Sequence, residues 1–453
     1  MNNKNTFNPF RRLHFYAAWF ITPLLLTLTI SGIGYLFYTD VEKYVYEKEF
    51  FGKSDIAVKQ SIDEAIKKIS DKYPDYKIGK ISILEEPFNN RVTISNDIGD
   101  SKYLFLDTNN QLVAVQNTKY TYANFMRNFH SSLFTGSTFI RYLVELTACW
   151  TVFLIVSGIY MTIKKKLLSI KSKQGTQLKF QKIHAILGLV IAFPLFVIVL
   201  TGIPWSVFMG SHISKFGQEH PELGRTELRY NPPQSDVSEI PWATRSLDQP
   251  TSNPTSHGDH HSAANATISN PGQKSMESIL AEAKNEEIAM PFSVVYPSNE
   301  SGVFTVSKSS NTGVTGLDVS PYKETTAYFD QYSGRLIARI NFDDYGIIGK
   351  WFTWGIPLHE GHLFGLANKI LNLIVCLAFI SSIVMGFISW MKKIKSGRLS
   401  GPKRINKPWS IGAILTLLVL GVLMPLFGLS VLIIFIIESI IYYATKNKMQ
   451  TVN

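Results

Sequence analysis

Four stretches of this 453-residue chain, residues 13–38, 139–163, 183–209 and 366–391, are almost wholly apolar. As helices, each is long enough to cross a hydrocarbon core of about 30 Å. That pattern leaves few options, because backbone polar groups in lipid must find their hydrogen bonds within the chain, which a helix provides. Only 17% of the residues are charged, below the share of about a quarter usual in soluble domains. A fifth apolar tract, 409–443, is too long for one ordinary span and carries Pro425 and Gly428 near its middle.

Charge supplies an orientation. Residues 1–13, 164–182, 392–407 and the tail after 444 hold three, seven, seven and two basic residues and no acid. Together they carry +19 against a whole-chain net of +11, so the remainder is about −8. The positive-inside rule makes the basic pieces cytoplasmic and the two long polar regions external. The positive excess therefore reports topology, and no nucleic-acid partner is needed to explain it. Both flanks of 409–443 are basic, which predicts a hairpin of two crossings turning near Met424–Gly428, and six membrane helices with both termini inside. Segment 13–38 is too long for a signal-peptide core and no small-residue cleavage site follows it, so it reads as a retained anchor. Cys149 and Cys376 lie inside apolar helices, and no CxxC or CxxCH supports a disulfide framework or covalent haem attachment.

The chain reads as one unit used twice. Ser31-Gly32 follows His14 at the same offsets at which Thr201-Gly202 follows His184. His130 and His359 each have a glycine six residues later, and Gly158 and Gly386 each precede a Lys-Lys pair by six. The external regions repeat too. Residues 61–117 predict a capped helix and strands near 78–84, 91–96, 102–107 and 111–116. Residues 275–342 predict a helix over 275–285 and strands near 292–296, 302–307, 327–330 and 336–340. Each is expected to be a small α+β domain, one helix against an antiparallel sheet. The Pro-, Ser-, Asn- and Thr-rich stretch 231–273 reads as an insertion in the second.

These motifs carry a resemblance. Arg12-Leu13-His14, Phe129-His130 with Gly136, His184 with Gly188, and Leu358-His359-Glu360 with Phe364-Gly365 resemble the PepSY-associated transmembrane family, a bacterial iron-regulated group that includes haem-containing siderophore reductases. The resemblance covers residues 11 to about 392. It implies an all-α transmembrane bundle of four core helices plus a C-terminal hairpin, carrying two small α+β PepSY-like domains outside the bacterial cytoplasmic (inner) membrane. The expected order begins with the first helix at 1–38, the first outer domain at 39–120, an interfacial helix and second helix at 121–163, and a basic loop at 164–182. It continues with the third helix at 183–209, the second outer domain at 210–350, and an interfacial segment and fourth helix at 351–391. A basic loop at 392–408, the hairpin at 409–443 and the tail at 444–453 close it.

A histidine beside a membrane segment is costly unless wetted, paired or ligated. Topology puts His14 and His184 at the inner face and His130 and His359 at the outer, an arrangement suited to two bis-histidine haem b groups. The alternative for each is an interfacial residue that caps a helix. Gly32 and Gly202 lie 18 residues after their histidines, about 27 Å along a helix, where the missing side chain would admit a porphyrin at the outer face. Gly158 and Gly386 would do so at the inner face. His130 and His359 precede their spans, so bent interfacial helices over 121–134 and 351–364 are expected to return them to the membrane. His362 competes with His359 as outer ligand, but only His359 matches His130 in its glycine offset.

Arg141 and Glu145 are expected to form a buried ion pair, with a haem propionate as the alternative partner for Arg141. Arg11, Arg12 and Lys182 are better placed for inner propionates. Trp205, Trp351 and Trp354 fit an aromatic belt. His257, His260 and His261 are a weak divalent-metal candidate. The resulting expectation is a haem oxidoreductase carrying electrons from a quinol or cytoplasmic donor to an external ferric siderophore or other metal chelate. The alternative is a non-enzymatic PepSY membrane protein that binds or helps transport a metal, chelate or peptide.

Overall fold

The computed structural model describes residues 7–169, 176–224, 272–297, 302–310, 319–392, 402, 409 and 411–450. The His257, His260 and His261 cluster lies outside the described residues. The chain divides into two compact units. Met1–Ile33, Asn128–His212 and Ile370–Asn453 form one; Gly34–Arg127 and Ile213–Lys369 form the other.

The first unit is helical. Its long helices are α1 (Phe7–Leu36), α6 (Thr138–Lys164), α7 (Thr176–Gly202) and α12 (Gly365–Met391). Parts of these four are the described helices long and apolar enough to cross a membrane. Leu13, Ala17, Ile21 and Leu25 recur every four residues and form one buried stripe of α1. They join Trp150 and Phe153 of α6 in a core that also takes Phe427 and Val431 of the C-terminal helix. Other positions stay open: Val190 and Phe193 of α7 are 71% and 77% exposed. Apolar side chains turned outward on a helix this long suit lipid as solvent.

The C-terminal tract folds as α13 (Ile411–Leu423) and α14 (Pro425–Gln450), hinged at Met424. Pro425 opens α14 where its missing N–H costs nothing. A Cβ on Gly421 would stand 3.2 Å from the Gly428 Cα, so the two glycines let the arms meet closely. Trp150 Nε1 donates to Ser430 Oγ at 3.0 Å and ties α14 to α6. The hairpin departs from two full crossings, because 13 residues of α13 rise only about 20 Å. The third apolar tract is also shorter than 183–209. Its helix begins seven residues earlier, ends at Gly202, passes through a 3-10 turn over Ile203–Trp205, and restarts as α8 (Phe208–Glu219).

The second unit contains two short helices after α1, α2 (Tyr38–Val45) and α3 (Glu47–Phe51), and then two helix-plus-four-strand repeats. The first repeat is α4 (Ile62–Lys72), β1 (Lys77–Ile83), β2 (Asn90–Ser95), β3 (Ser101–Leu106) and β4 (Leu112–Asn117). Helix α5 (Tyr122–Ser132) follows it. After the short α9 (Pro221–Gly224), the second repeat is α10 (Met276–Asn285), β5 (Phe292–Val295), β6 (Val303–Lys308), β7 (Thr325–Asp330) and β8 (Leu336–Asn341). Helix α11 (Ile347–Glu360) then leads towards α12. Both repeat helices start at a serine whose hydroxyl accepts an N–H three residues on, Ser61 from Glu64 and Ser275 from Ser278.

The expected pair of separate α+β domains is instead one sheet. Its order is β4-β3-β2-β1-β5-β6-β7-β8, antiparallel throughout. β1 and β5 pair from Lys80↔Val295 to Ile83↔Phe292, and Ser82 and Ser293 hydroxyls meet across the seam at 3.1 Å. Both repeats share one core, in which Ile66 and Ile69 of α4 and Ile279 of α10 cover Ile81, Ile94, Phe304 and Phe329. Each repeat alone would leave an inner edge strand with unpaired backbone groups. Fusion removes both edges.

Candidate functional site

His14 lies two turns inside α1 and His184 two turns inside α7, so neither opens its helix. Their imidazoles meet in a T-shaped contact, with ring centres 6.4 Å apart and planes 85° apart. The hydrogen bonds fix the tautomers. His184 Nδ1 lies 2.8 Å from the Ser382 carbonyl oxygen, which only accepts. His14 Nδ1 lies 2.8 Å from Ser157 Oγ, whose own proton goes to the Phe153 carbonyl at 2.7 Å. Both Nδ1 atoms are therefore donors, and both Nε2 atoms keep a lone pair. Metal-bound histidines are usually held this way, through the nitrogen that does not ligate.

The glycines expected beside this pair are there. A Cβ on Gly158 would meet only His14 Cε1, at 3.6 Å, and one on Gly386 would meet His184 Nδ1 at 3.1 Å. His130 repeats the arrangement within the same unit. Its Nδ1 lies 3.0 Å from Ser31 Oγ, which donates to the Thr27 carbonyl at 2.8 Å, and a Cβ on Gly32 would meet its Cε1 at 3.6 Å. Three histidines thus share one device, a hydroxyl or carbonyl on Nδ1 and a glycine against the ring.

A family model for the PepSY-associated TM region matches residues 11–393. The chain belongs to that family, and it is a membrane protein. A search of curated proteins returns no match.

In this PepSY-associated chain the breaks ahead of two helices have local causes. Between α5 and α6, Leu133, Phe134 and Gly136 all take positive φ, which ends one helix before the next begins. Phe134 stacks on Phe129 at 5.0 Å and holds the reversal. Between α11 and α12, Gly361 caps the first helix at φ 82° and Gly365 turns at φ 60°. His130 thus rides on α5 and His359 on the last turn of α11. His130 belongs to the helical unit and His359 to the sheet unit.

His362 is engaged elsewhere: its Nε2 lies 3.2 Å from Glu360 Oε2. An Nε2–H directed at a carboxylate is not offering a lone pair to a metal. Burial would raise the Glu360 carboxyl, but the His362 hydrogen bond and charge, with Arg127 and His359, hold it below the usual carboxylate range.

One expected ion pair is corrected. Arg141 and Glu145 do not pair. The Glu145 carboxylate accepts the N–H groups of Phe208 at 2.7 Å and Met209 at 2.9 Å, capping α8. A helix N-terminus offers aligned N–H donors and positive potential, which outcompetes one side chain for a buried carboxylate. Arg141 itself is exposed. Arg12 forms a 2.8 Å ion pair with Glu438 of α14, so its guanidinium already has a carboxylate inside the protein. Gly202 closes α7 beside buried Thr201. Among the described residues no group of three or more His, Cys, Asp or Glu side chains is arranged to hold a metal ion.

Sequence reasoning missed Ser31, Ser157 and Ser382. The signal was present, since Ser31-Gly32 and Ser157-Gly158 place an orienting hydroxyl next to the residue that opens space. Ser382 lies one turn before Gly386.

Proposed function

We propose that this protein is a b-type haem oxidoreductase of the bacterial cytoplasmic membrane. In this reading it passes electrons from a quinol or cytoplasmic donor to an acceptor outside, a ferric siderophore or other ferric chelate. The observation that carries the proposal is the His14/His184 pair, with two Nε2 lone pairs on facing helices and a side-chain-free glycine against each ring.

These residues fit a haem. His14 and His184 would hold one such group, and His130, oriented by the same device, is a candidate ligand for another. Bound haem would supply reversible one-electron chemistry, with its potential set by ligands and surroundings. The chain does the rest. Ser157 and the Ser382 carbonyl hold the imidazoles in the Nε2-ligating tautomer. Gly158, Gly386 and Gly32 leave room beside the rings. The apolar stripes of α1 and α6 exclude water from the helical core. Ferric iron reduced outside would be held less tightly by oxygen ligands and so released for uptake.

Reduced-minus-oxidised spectra of the full chain, made with ample haem, test this. A b-type Soret and α band is the expected result, and their absence sinks the proposal. The second reading, a non-enzymatic protein that binds or helps transport a metal, chelate or peptide, draws on a cavity of about 760 Å³ in the sheet unit. Titration of haem-free protein with such ligands tests that reading.

A further inference from the structure

The sheet unit holds a cavity of about 760 Å³ on the second repeat, reached also by Glu85 of the first. This is in the upper part of the range of about 300–1,000 Å³ typical of small-ligand sites, and more room than a single amino acid fills.

Its most unusual lining group is Lys308, at the end of β6 and 7% exposed. Its Nζ donates to the main-chain oxygens of Ala289 at 3.0 Å and Met290 at 2.7 Å. No described carboxylate lies within the 4.0 Å of an ion pair. An ammonium held by two carbonyls, with Glu85 acting on it only from beyond ion-pair distance, is costly to bury. Burial, with Lys323 adding to it, pulls the Lys308 pKa below the ordinary lysine range. One ammonium N–H therefore remains for an anion in the cavity.

The acids around it differ. Glu324 is already used by the Ser310 N–H and hydroxyl, and Asp344 by the Asn341 N–H. Glu85, Glu287 and Asp343 are exposed and border the same space. A ligand carrying only negative charge would meet these three. One carrying both signs would satisfy both parts, an anion at Lys308 and a cation at the exposed acids.

We infer that this cavity binds a zwitterionic amino-carboxylate ligand of short-peptide size, its carboxylate on Lys308 and its ammonium group towards Glu85, Glu287 and Asp343. The inference deepens the ligand-binding reading and does not depend on haem.

Calorimetric titration of the full chain in detergent with tetra-alanine, its C-terminal amide and its N-acetyl form tests it. The free peptide is expected to bind at least tenfold more tightly than either blocked form, and Lys308→Met to abolish the difference made by the amide. If Lys308→Met does not fold, Glu85→Gln with Asp343→Asn, both exposed, should abolish the difference made by acetylation. Equal affinity for all three peptides, or no binding at millimolar concentration, overturns the inference. So does tighter binding of citrate than of tetra-alanine, which would mark a plain anion site. Binding by protein that shows no haem bands would leave this site standing and remove the redox reading. Haem bands without peptide binding would do the reverse.

Discussion

Gly158 and Gly386 occupy matching places but do not leave equal room. A methyl at 158 would sit at ordinary contact distance from His14, whereas one at 386 would press to 3.1 Å on His184 Nδ1. Gly158→Ala is therefore expected to keep its histidine in place. Gly386→Ala should displace the His184 ring and weaken its bond to the Ser382 carbonyl. Haem retention after purification, compared between the two variants, checks the asymmetry; equal loss would contradict it. The glycines themselves were legible from their offsets to Lys-Lys pairs. Their hydroxyl neighbours are adjacent in the sequence, but a serine inside an apolar helix ordinarily bonds its own turn. Only the fold shows that Ser157 and Ser31 also receive a histidine N–H. Glu42 gives a second prediction at this scale. Burial raises its carboxyl above the ordinary range, although the Ala123 N–H at 2.8 Å and the charges of Arg91 and Arg127 act the other way. The folded chain thus holds the proton more tightly than the unfolded chain, so ionising Glu42 costs stability as pH rises through the carboxylate range. Glu42→Gln should match the parent near pH 4, about the unperturbed carboxylate value, and exceed it in melting temperature at neutral pH.

Asp63 joins the two repeats at the level of elements. From the first turn of α4 its carboxylate accepts the N–H of Met276 at 2.7 Å and of Glu277 at 3.0 Å, so one repeat caps the helix of the other. Asp63→Ala is expected to lower stability by about 1–2 kcal/mol, the usual loss on removing an N-terminal cap. Asp63→Asn, which keeps an acceptor, should cost less. Denaturant unfolding of the full chain followed by tyrosine fluorescence measures both, and equal losses would argue against capping as the cause. The helices and strands on either side of this contact were legible from serine caps and alternation. Their fusion into one sheet was not. β1 and β5 lie far apart in the chain, and nothing local records which edge each prefers.

For the whole molecule the decisive question is whether four histidines on four different helices act in pairs. Duplication makes the sequence symmetric, and the bends after α5 and α11, expected from spacing, are made by left-handed residues. What spacing did not show is that His14 and His184 meet ring to ring. If both would hold one haem, removing either leaves a single protein ligand, and the second removal adds little. His14→Ala, His184→Ala and the double variant should then lose the same spectral component to a similar extent. His130→Ala should leave that component in place, and so should His362→Ala, because its Nε2 is engaged with Glu360. Redox titration of each variant separates the components by midpoint potential. If the losses from His14→Ala and His184→Ala add rather than coincide, the two imidazoles serve different centres and the facing geometry is only packing.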